Sequence, residues 1–180
     1  MVSGRARVEE LASLVQWTGA PDLTVDVRAA EESLGIRLPS DYYEYVRRFP
    51  PGTFQDFLVV LNVRPSPYVA DLARAVSRIV ENLQEDLAGA VDFPYRLFPE
   101  PGGLLPWGYI GMDDLFFWHT EGDDPDDWGT VVTDHWLSEP HRYAGSFTEC
   151  VTSLIHGTSG LPEMEHLAAR APSFVPLKGD

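Results

Sequence analysis

Residues 102–128 read GGLLPWGYIGMDDLFFWHTEGDDPDDW, with three tryptophans, seven aspartates or glutamates, and no lysine or arginine. Short runs of aromatic and branched side chains alternate with glycine, proline and aspartate, which is typical of strands joined by tight turns. Strands joined by such short turns run antiparallel. We therefore interpret this stretch as the centre of an antiparallel sheet whose connecting loops carry negative charge.

The same pattern extends on both sides of this stretch. An earlier apolar run, Phe54–Val63, is a further strand, and its continuous Phe57–Leu61 segment predicts a strand covered on both faces. We expect a sheet of about five to six strands. Besides Phe54–Val63, the predicted strands are Tyr95–Phe98, Leu104–Ile110, Leu115–His119, Thr130–Thr133 and a last one near Trp136–Tyr143.

Helical spacing of apolar residues predicts the remaining elements. A long helix at about Val69–Ala88 has one apolar face, and a final helix starts after Ser146 and ends at Gly157. Ser40 or Asp41 is expected to cap its own helix. The other predicted helices are Val8–Thr18, Asp26–Leu34, one that starts at Pro39–Asp41, and a short one at Glu163–Ala171, before an extended Pro172–Pro176. Helices and strands in this order indicate an α+β single domain.

The net charge of −15 is unevenly distributed. Ten acids lie between Arg96 and Arg142, an interval without lysine or arginine. This sign of charge argues against nucleic-acid binding and permits a basic protein partner. Solubility alone is an equally good explanation of an acidic surface.

Cysteine usage and hydropathy bound the compartment. Cys150 is the single cysteine, so it has no internal disulfide partner. No apolar run has the length of a signal peptide or of a membrane span. We expect a cytoplasmic protein that does not contact membranes.

Motifs that carry chemistry are weak in this chain. The five histidines lack the spacing of a helical zinc site, and no phosphate-binding glycine motif is present. Cys150 lies on an apolar helix stripe, which favours a buried, inert thiol. The Asp123–Asp127 run does not have the alternate spacing of a calcium loop, so turn formation is the better interpretation. We expect no metal and no cofactor, and a carboxylate-based enzyme is the least favoured function.

Three segments together resemble the SUKH superfamily, the Smi/Knr-type domain of fungal cell-wall regulators and many bacterial proteins. They are AEESLGIRLPSDY at residues 30–42, the Gly52–Phe54 segment with the strand after it, and the Gly103–Trp128 segment with its GLLPWG, FW and GDDPDDW motifs. The resemblance covers about Val25–Ile155. We therefore divide the chain into an N-terminal helical extension (1–24), a SUKH-like domain (25–157) and a partly extended C-terminal tail (158–180).

The resemblance implies an antiparallel sheet flanked by helices, no catalytic residues and no cofactor. Many bacterial members are similar to immunity proteins that neutralise a toxin made by the same cell, and others are regulatory interaction modules. Both functions remain open, and in either case the partner is a protein. For a toxin with a basic surface, the candidate partner-binding residues are Asp113, Asp114, Glu121, Asp123, Asp124, Asp126 and Asp127. Trp128 is either part of the core or part of that interface.

Overall fold

The computed structural model describes residues 3–66, 68–69, 71–87, 93–111, 114–134, 136–162 and 164–177. Within these ranges the chain forms helices and one sheet, which confirms the α+β class. The helices are α1 (Gly4–Leu14), α2 (Arg28–Leu34), α3 (Ser40–Arg48), α4 (Leu72–Leu87), α5 (Phe147–His156) and α6 (Glu165–Ala168), with a 3₁₀ turn at Pro125–Asp127. The strands are β1 (Gly52–Phe54), β2 (Leu58–Val60), β3 (Leu104–Ile110), β4 (Asp114–His119), β5 (Thr130–Asp134), β6 (His141–Tyr143) and β7 (Phe174–Pro176).

The sheet has the strand order β6-β5-β4-β3-β2-β1-β7, and every neighbouring pair is antiparallel. Its seven described strands correct the expected five to six. One reason is that the predicted Phe54–Val63 strand is a hairpin: Gln55 and Asp56 have φ values of 52° and 63°, and the Phe57 amide donates to the Phe54 carbonyl at 3.0 Å. These left-handed residues turn the chain back on itself.

The C-terminal tail supplies the seventh strand. β7 pairs with β1, and the Phe174 ring lies 4.9–5.1 Å from the rings of Trp17, Phe49 and Phe54. Sequence reasoning identified the segment as extended but did not place it, because pairing with β1 spans more than a hundred residues of chain.

Two predicted strands are shorter than expected. Tyr95–Phe98 forms no strand and makes a single bridge, from Leu97 to Leu104. The last of the predicted strands is limited to His141–Tyr143. The two faces of β2 are covered unequally, because Leu58 and Val60 are buried whereas Val59 between them is half-buried.

The main core lies between the sheet and helices α1, α3 and α5. Trp107 and Trp118 are fully buried on this face of the sheet. Their rings contact the helices, with Trp118 5.1 Å from Tyr42 of α3 and Trp107 5.0 Å from Phe147 of α5. Edge-to-face aromatic pairs of this kind add about 0.5–1.5 kcal/mol each beyond the area that they bury. The α4 helix contacts β3 and α2.

Helix ends follow the capping chemistry closely at α5. Ser146 and Glu149 form a reciprocal capping box, and Gly157 ends the helix with a φ of 70°. The α1 helix begins before the predicted Val8 because Ser3 accepts a hydrogen bond from the Ala6 amide. The predicted cap of α3 is wrong, because neither the Ser40 nor the Asp41 side chain caps this helix.

Candidate protein-binding surface

The acidic loop between β4 and β5, residues 120–129, is a folded turn. The Thr120 hydroxyl donates to the Gly103 carbonyl at 2.8 Å, which fixes the start of the loop. Asp124 Oδ1 accepts the Asp126 amide at 3.1 Å, and this bond caps the 3₁₀ turn. The predicted turn-forming role of these aspartates is confirmed at Asp124.

Contacts with the helical layer anchor the same loop. The Asp126 carboxylate accepts a hydrogen bond from the Ser40 amide at the start of α3. Arg37 donates to the Asp123 carbonyl at 3.5 Å. Asp126 therefore provides the cap that the sequence assigned to Ser40 or Asp41, from a position 86 residues away.

Asp41 serves a second helix instead. Its side chain is only 4% exposed, and Oδ2 accepts the Thr148 amide near the start of α5 at 2.8 Å. The position of an aspartate next to a helix start looks the same in sequence whether it caps its own helix or a distant one. No sequence signal distinguishes these two roles, so this contact was missed.

Trp128 belongs to the core. It is 5% exposed and, with Pro39, Phe147 and Tyr143, lines a groove of about 800 Å³ beside the acidic loop. Its indole nitrogen is buried and has no hydrogen-bond partner among the described residues. Trp128 directly follows the 3₁₀ turn that Asp124 caps, so this turn positions its ring in the wall of the groove.

The structure brings five of the seven candidate partner-binding residues together. Glu121, Asp123, Asp124, Asp126 and Asp127 are all exposed on the loop between β4 and β5. The side chains of Asp123 and Asp127 accept no hydrogen bond from the described residues, so their carboxylates face solvent.

The other two candidates are not part of this loop. Asp114 is half-buried at the far end of β4, five residues or about 17 Å from His119 at the strand rise of an antiparallel sheet. There it lies directly opposite Asp134 of β5. Asp113 lies outside the described residues. The acidic interval is thus divided between the two ends of the sheet.

His119 lies where the acidic loop begins. Its Nδ1 atom is 3.4 Å from Arg142 Nη2 and 3.5 Å from Glu121 Oε2. Burial and then the charge of Arg142 lower the pKa of His119, and Glu121 opposes this shift. Burial and Arg142 together outweigh Glu121 and favour a neutral imidazole.

Other candidate chemical groups are buried or dispersed. Among the residues that the structure describes, no three His, Cys, Asp or Glu side chains are grouped as metal ligands. The Cys150 thiol is fully buried, and burial raises its pKa to about 12. In the described part of the chain, no helix is both long and apolar enough to cross a bilayer.

Comparison with known proteins gives one family. A family model described as SUKH_6, SMI1-KNR4 cell-wall, matches residues 25–150. Neither the curated proteins nor the solved structures provide a match to this chain. The match includes the acidic loop, both buried sheet tryptophans and the first four residues of α5.

Proposed function

Because the chain belongs to the SUKH_6 family of SMI1-KNR4 cell-wall type, we propose that it is a non-catalytic immunity protein that binds and neutralises a toxin. The observation that supports this best is the anchored acidic loop, which presents five exposed carboxylates. A toxin that acts on nucleic acid has a basic substrate site, and an acidic loop of this kind can occupy or cover it.

The fixed conformation of the loop favours tight binding. Asp124 and Asp126 use their carboxylates to hold the loop against itself and against α3. Little backbone entropy is then lost when a partner docks. Asp123 and Asp127 keep solvent-facing carboxylates, which are available for charged contacts and for fast association.

A regulatory module for an endogenous protein is the second candidate. The cell-wall description of the family supports it. The two functions differ in gene context and in partner, since an immunity gene is expected to lie beside the gene of its toxin. The acidic loop serves either function, so the partner must be identified by experiment.

Co-expression tests the proposed function. The toxin domain encoded beside this gene is expressed in a sensitive host with and without the protein, and growth is measured. We expect the protein to restore growth, and lack of rescue would reject the immunity function. Capture of a cell-wall enzyme or regulator instead would support the second candidate.

A charge-reversal pair tests the loop itself. Asp123→Lys with Asp127→Lys changes two carboxylates that hold no described contact, so the fold is expected to survive. The control is Glu81→Lys with Glu85→Lys on the exposed side of α4, which changes the net charge equally. We expect the loop variant to slow association with the toxin at least tenfold at low salt. Equal slowing by both variants would show that only net charge matters.

A further inference from the structure

Among the described strands, β6 is the edge of the sheet opposite β7, and no described strand pairs with its outer side. The His119 amide donates to the Gly129 carbonyl at 3.0 Å, and this bond sets which β5 residues pair with β4. Because backbone groups alternate along a strand, Thr130 and the other even-numbered residues of β5 direct their groups toward β6. In the β5–β6 register, the first and last residues of β6 therefore bond to β5. The amide and carbonyl of Arg142, between them, point away from the sheet.

The opposite edge, β7, carries prolines on its outer side. The Gln55 amide donates to the Ser173 carbonyl at 3.1 Å, which directs the groups of Phe174 and Pro176 away from β1. Pro176 has no amide hydrogen, and Pro172 takes away another donor at the same outer edge. Prolines on both sides of the Phe174 amide make further pairing at this edge less favourable. On the outer side of β6, Pro140 just before the strand has no amide hydrogen, but the Arg142 amide within the strand can donate to an added strand.

Acidic grooves lie at both ends of β6. The groove of about 800 Å³ adjoins the Tyr143 end, and its lining includes five acidic residues, Asp41, Asp124, Asp126, Asp127 and Glu149, and two basic ones, Arg7 and Arg142. Of these, Asp41 is buried and Glu149 pairs with Arg7. A second groove, of about 370 Å³, adjoins the His141 end. Among the described residues its lining includes the acidic Asp114, Asp134 and Glu139 and no lysine or arginine.

The second groove also offers apolar contacts. Leu161, Pro162 and Met164 also line it; Pro162 is exposed, and Leu161 and Met164 are buried beneath it. Trp136, in the loop that leads into β6, is 65% exposed. Exposed tryptophans are frequent anchors in protein interfaces. An occupant of this edge therefore meets acidic residues at both ends, and apolar residues, including the exposed Trp136, near one of them.

We propose that the β6 edge is the docking site and that its occupant is an extended, lysine- or arginine-rich segment of the partner, added as an eighth strand. This inference rests on the proposed function, which it deepens by naming the binding mode. Strand addition takes its affinity from main-chain hydrogen bonds and its specificity from alternate side chains. Because β6 is short, backbone pairing alone is weak, and attraction between the basic segment and the two grooves supplies the rest.

A matched pair of substitutions isolates the backbone contribution. Arg142→Pro removes the outward amide hydrogen together with the positive charge, whereas Arg142→Gln removes only the charge. Neither substitution removes a bond between β6 and β5. The probe is a fluorescein-labelled decapeptide of alternating lysine and valine, and its counterpart alternates glutamate and valine. Binding is measured by fluorescence anisotropy at low salt.

We expect Arg142→Gln to bind the lysine peptide about twofold more tightly than the wild type, because a like charge is removed. Arg142→Pro is expected to bind it about fivefold more weakly than Arg142→Gln, the effect of one backbone hydrogen bond. Equal affinity of the two variants would overturn the proposal. Binding of the glutamate peptide as tight as that of the lysine peptide would also overturn it, as would failure of the wild type to bind the lysine peptide.

Hydrogen exchange gives a second measurement should Arg142→Pro fail to fold. In the wild-type protein the Arg142 amide is expected to exchange at least tenfold more slowly when the lysine peptide is bound. Unchanged exchange at saturating peptide contradicts strand addition. The two hypotheses also fail separately. A toxin that is neutralised equally by both Arg142 variants rejects edge docking alone, and failed rescue with positive peptide data rejects the immunity function alone.

Discussion

The buried carboxylate of Asp41 gives the sharpest test of how this fold is stabilised. Asp41→Ala removes the oxygen that accepts the Thr148 amide at 2.8 Å and leaves that amide in a fully buried position. A hydrogen bond to a charged group contributes about 1.5–3 kcal/mol, and an unpaired buried donor costs about 1–3 kcal/mol. The two figures describe the same lost interaction and are not added. We therefore expect Asp41→Ala to lower the free energy of unfolding by about 2–3 kcal/mol.

Ser146→Ala is the matched comparison at the same helix end. Ser146 caps the Glu149 amide through a longer bond of 3.5 Å at a half-buried site. Loss of a typical N-cap costs about 1 kcal/mol. The distant Asp41 cap is therefore expected to contribute more stability to α5 than its own N-cap residue. Asp41→Asn keeps one acceptor oxygen, so its loss of stability is expected to lie between those of Asp41→Ala and Ser146→Ala.

Urea denaturation of the three variants, followed by circular dichroism, measures these differences. For a chain of this length, each kcal/mol shifts the melting temperature by about 2–4 °C, so Asp41→Ala should melt about 4–12 °C lower. An unchanged m value would show that the unfolded state is unaffected. The reasoning is refuted if Ser146→Ala costs as much as Asp41→Ala, or if Asp41→Ala changes stability by less than about 0.5 kcal/mol.

Three further outcomes are expected. Asp126→Ala should lower stability by about 1 kcal/mol because the Ser40 amide loses its cap, while Asp127→Ala should stay within about 0.5 kcal/mol in the same urea titration; the reverse order would contradict the anchored loop. Phe174→Ala should cost about 3 kcal/mol and raise hydrogen exchange in β1, since its ring fills an aromatic cluster; a loss below 1 kcal/mol would mean that the tail is dispensable. Cys150 should resist a thiol reagent at pH 8 until the protein unfolds, and rapid labelling of the native protein would contradict its burial. Because its pKa is raised in the folded state, the free energy of unfolding should fall as the pH rises from about 9 to about 12.

Local pattern was sufficient for much of the fold. The Leu104–Ile110 strand has the predicted bounds, and the last helix is capped at Ser146 and ends at Gly157 as the sequence indicates. Each of these features depends on residues close together in the chain, so spacing alone reports them. The Phe54–Val63 prediction failed because Gln55 and Asp56 adopt left-handed conformations that glycine more commonly occupies.

The candidate surface was predictable in part for the same reason. Glu121, Asp123, Asp124, Asp126 and Asp127 lie in one short loop, so their proximity follows from the chain itself. Asp114 is separated from them because a strand carries it to the other end of the sheet, and a pattern of charges along a sequence has no information about that distance.

The sequence by itself determined the α+β class, the family, the sheet-forming tryptophans and the acidic loop, because local spacing and charge are written directly in the order of residues. Only the tertiary structure decided what depends on distant partners. Asp126 caps α3, Asp41 caps α5, the tail closes one edge of the sheet, and β6 remains as the open edge. The contacts among these features join groups far apart in the chain. The Leu177 amide, for example, donates to the carbonyl of Pro51, which lies 126 residues earlier, and such bonds form only when packing brings the segments together.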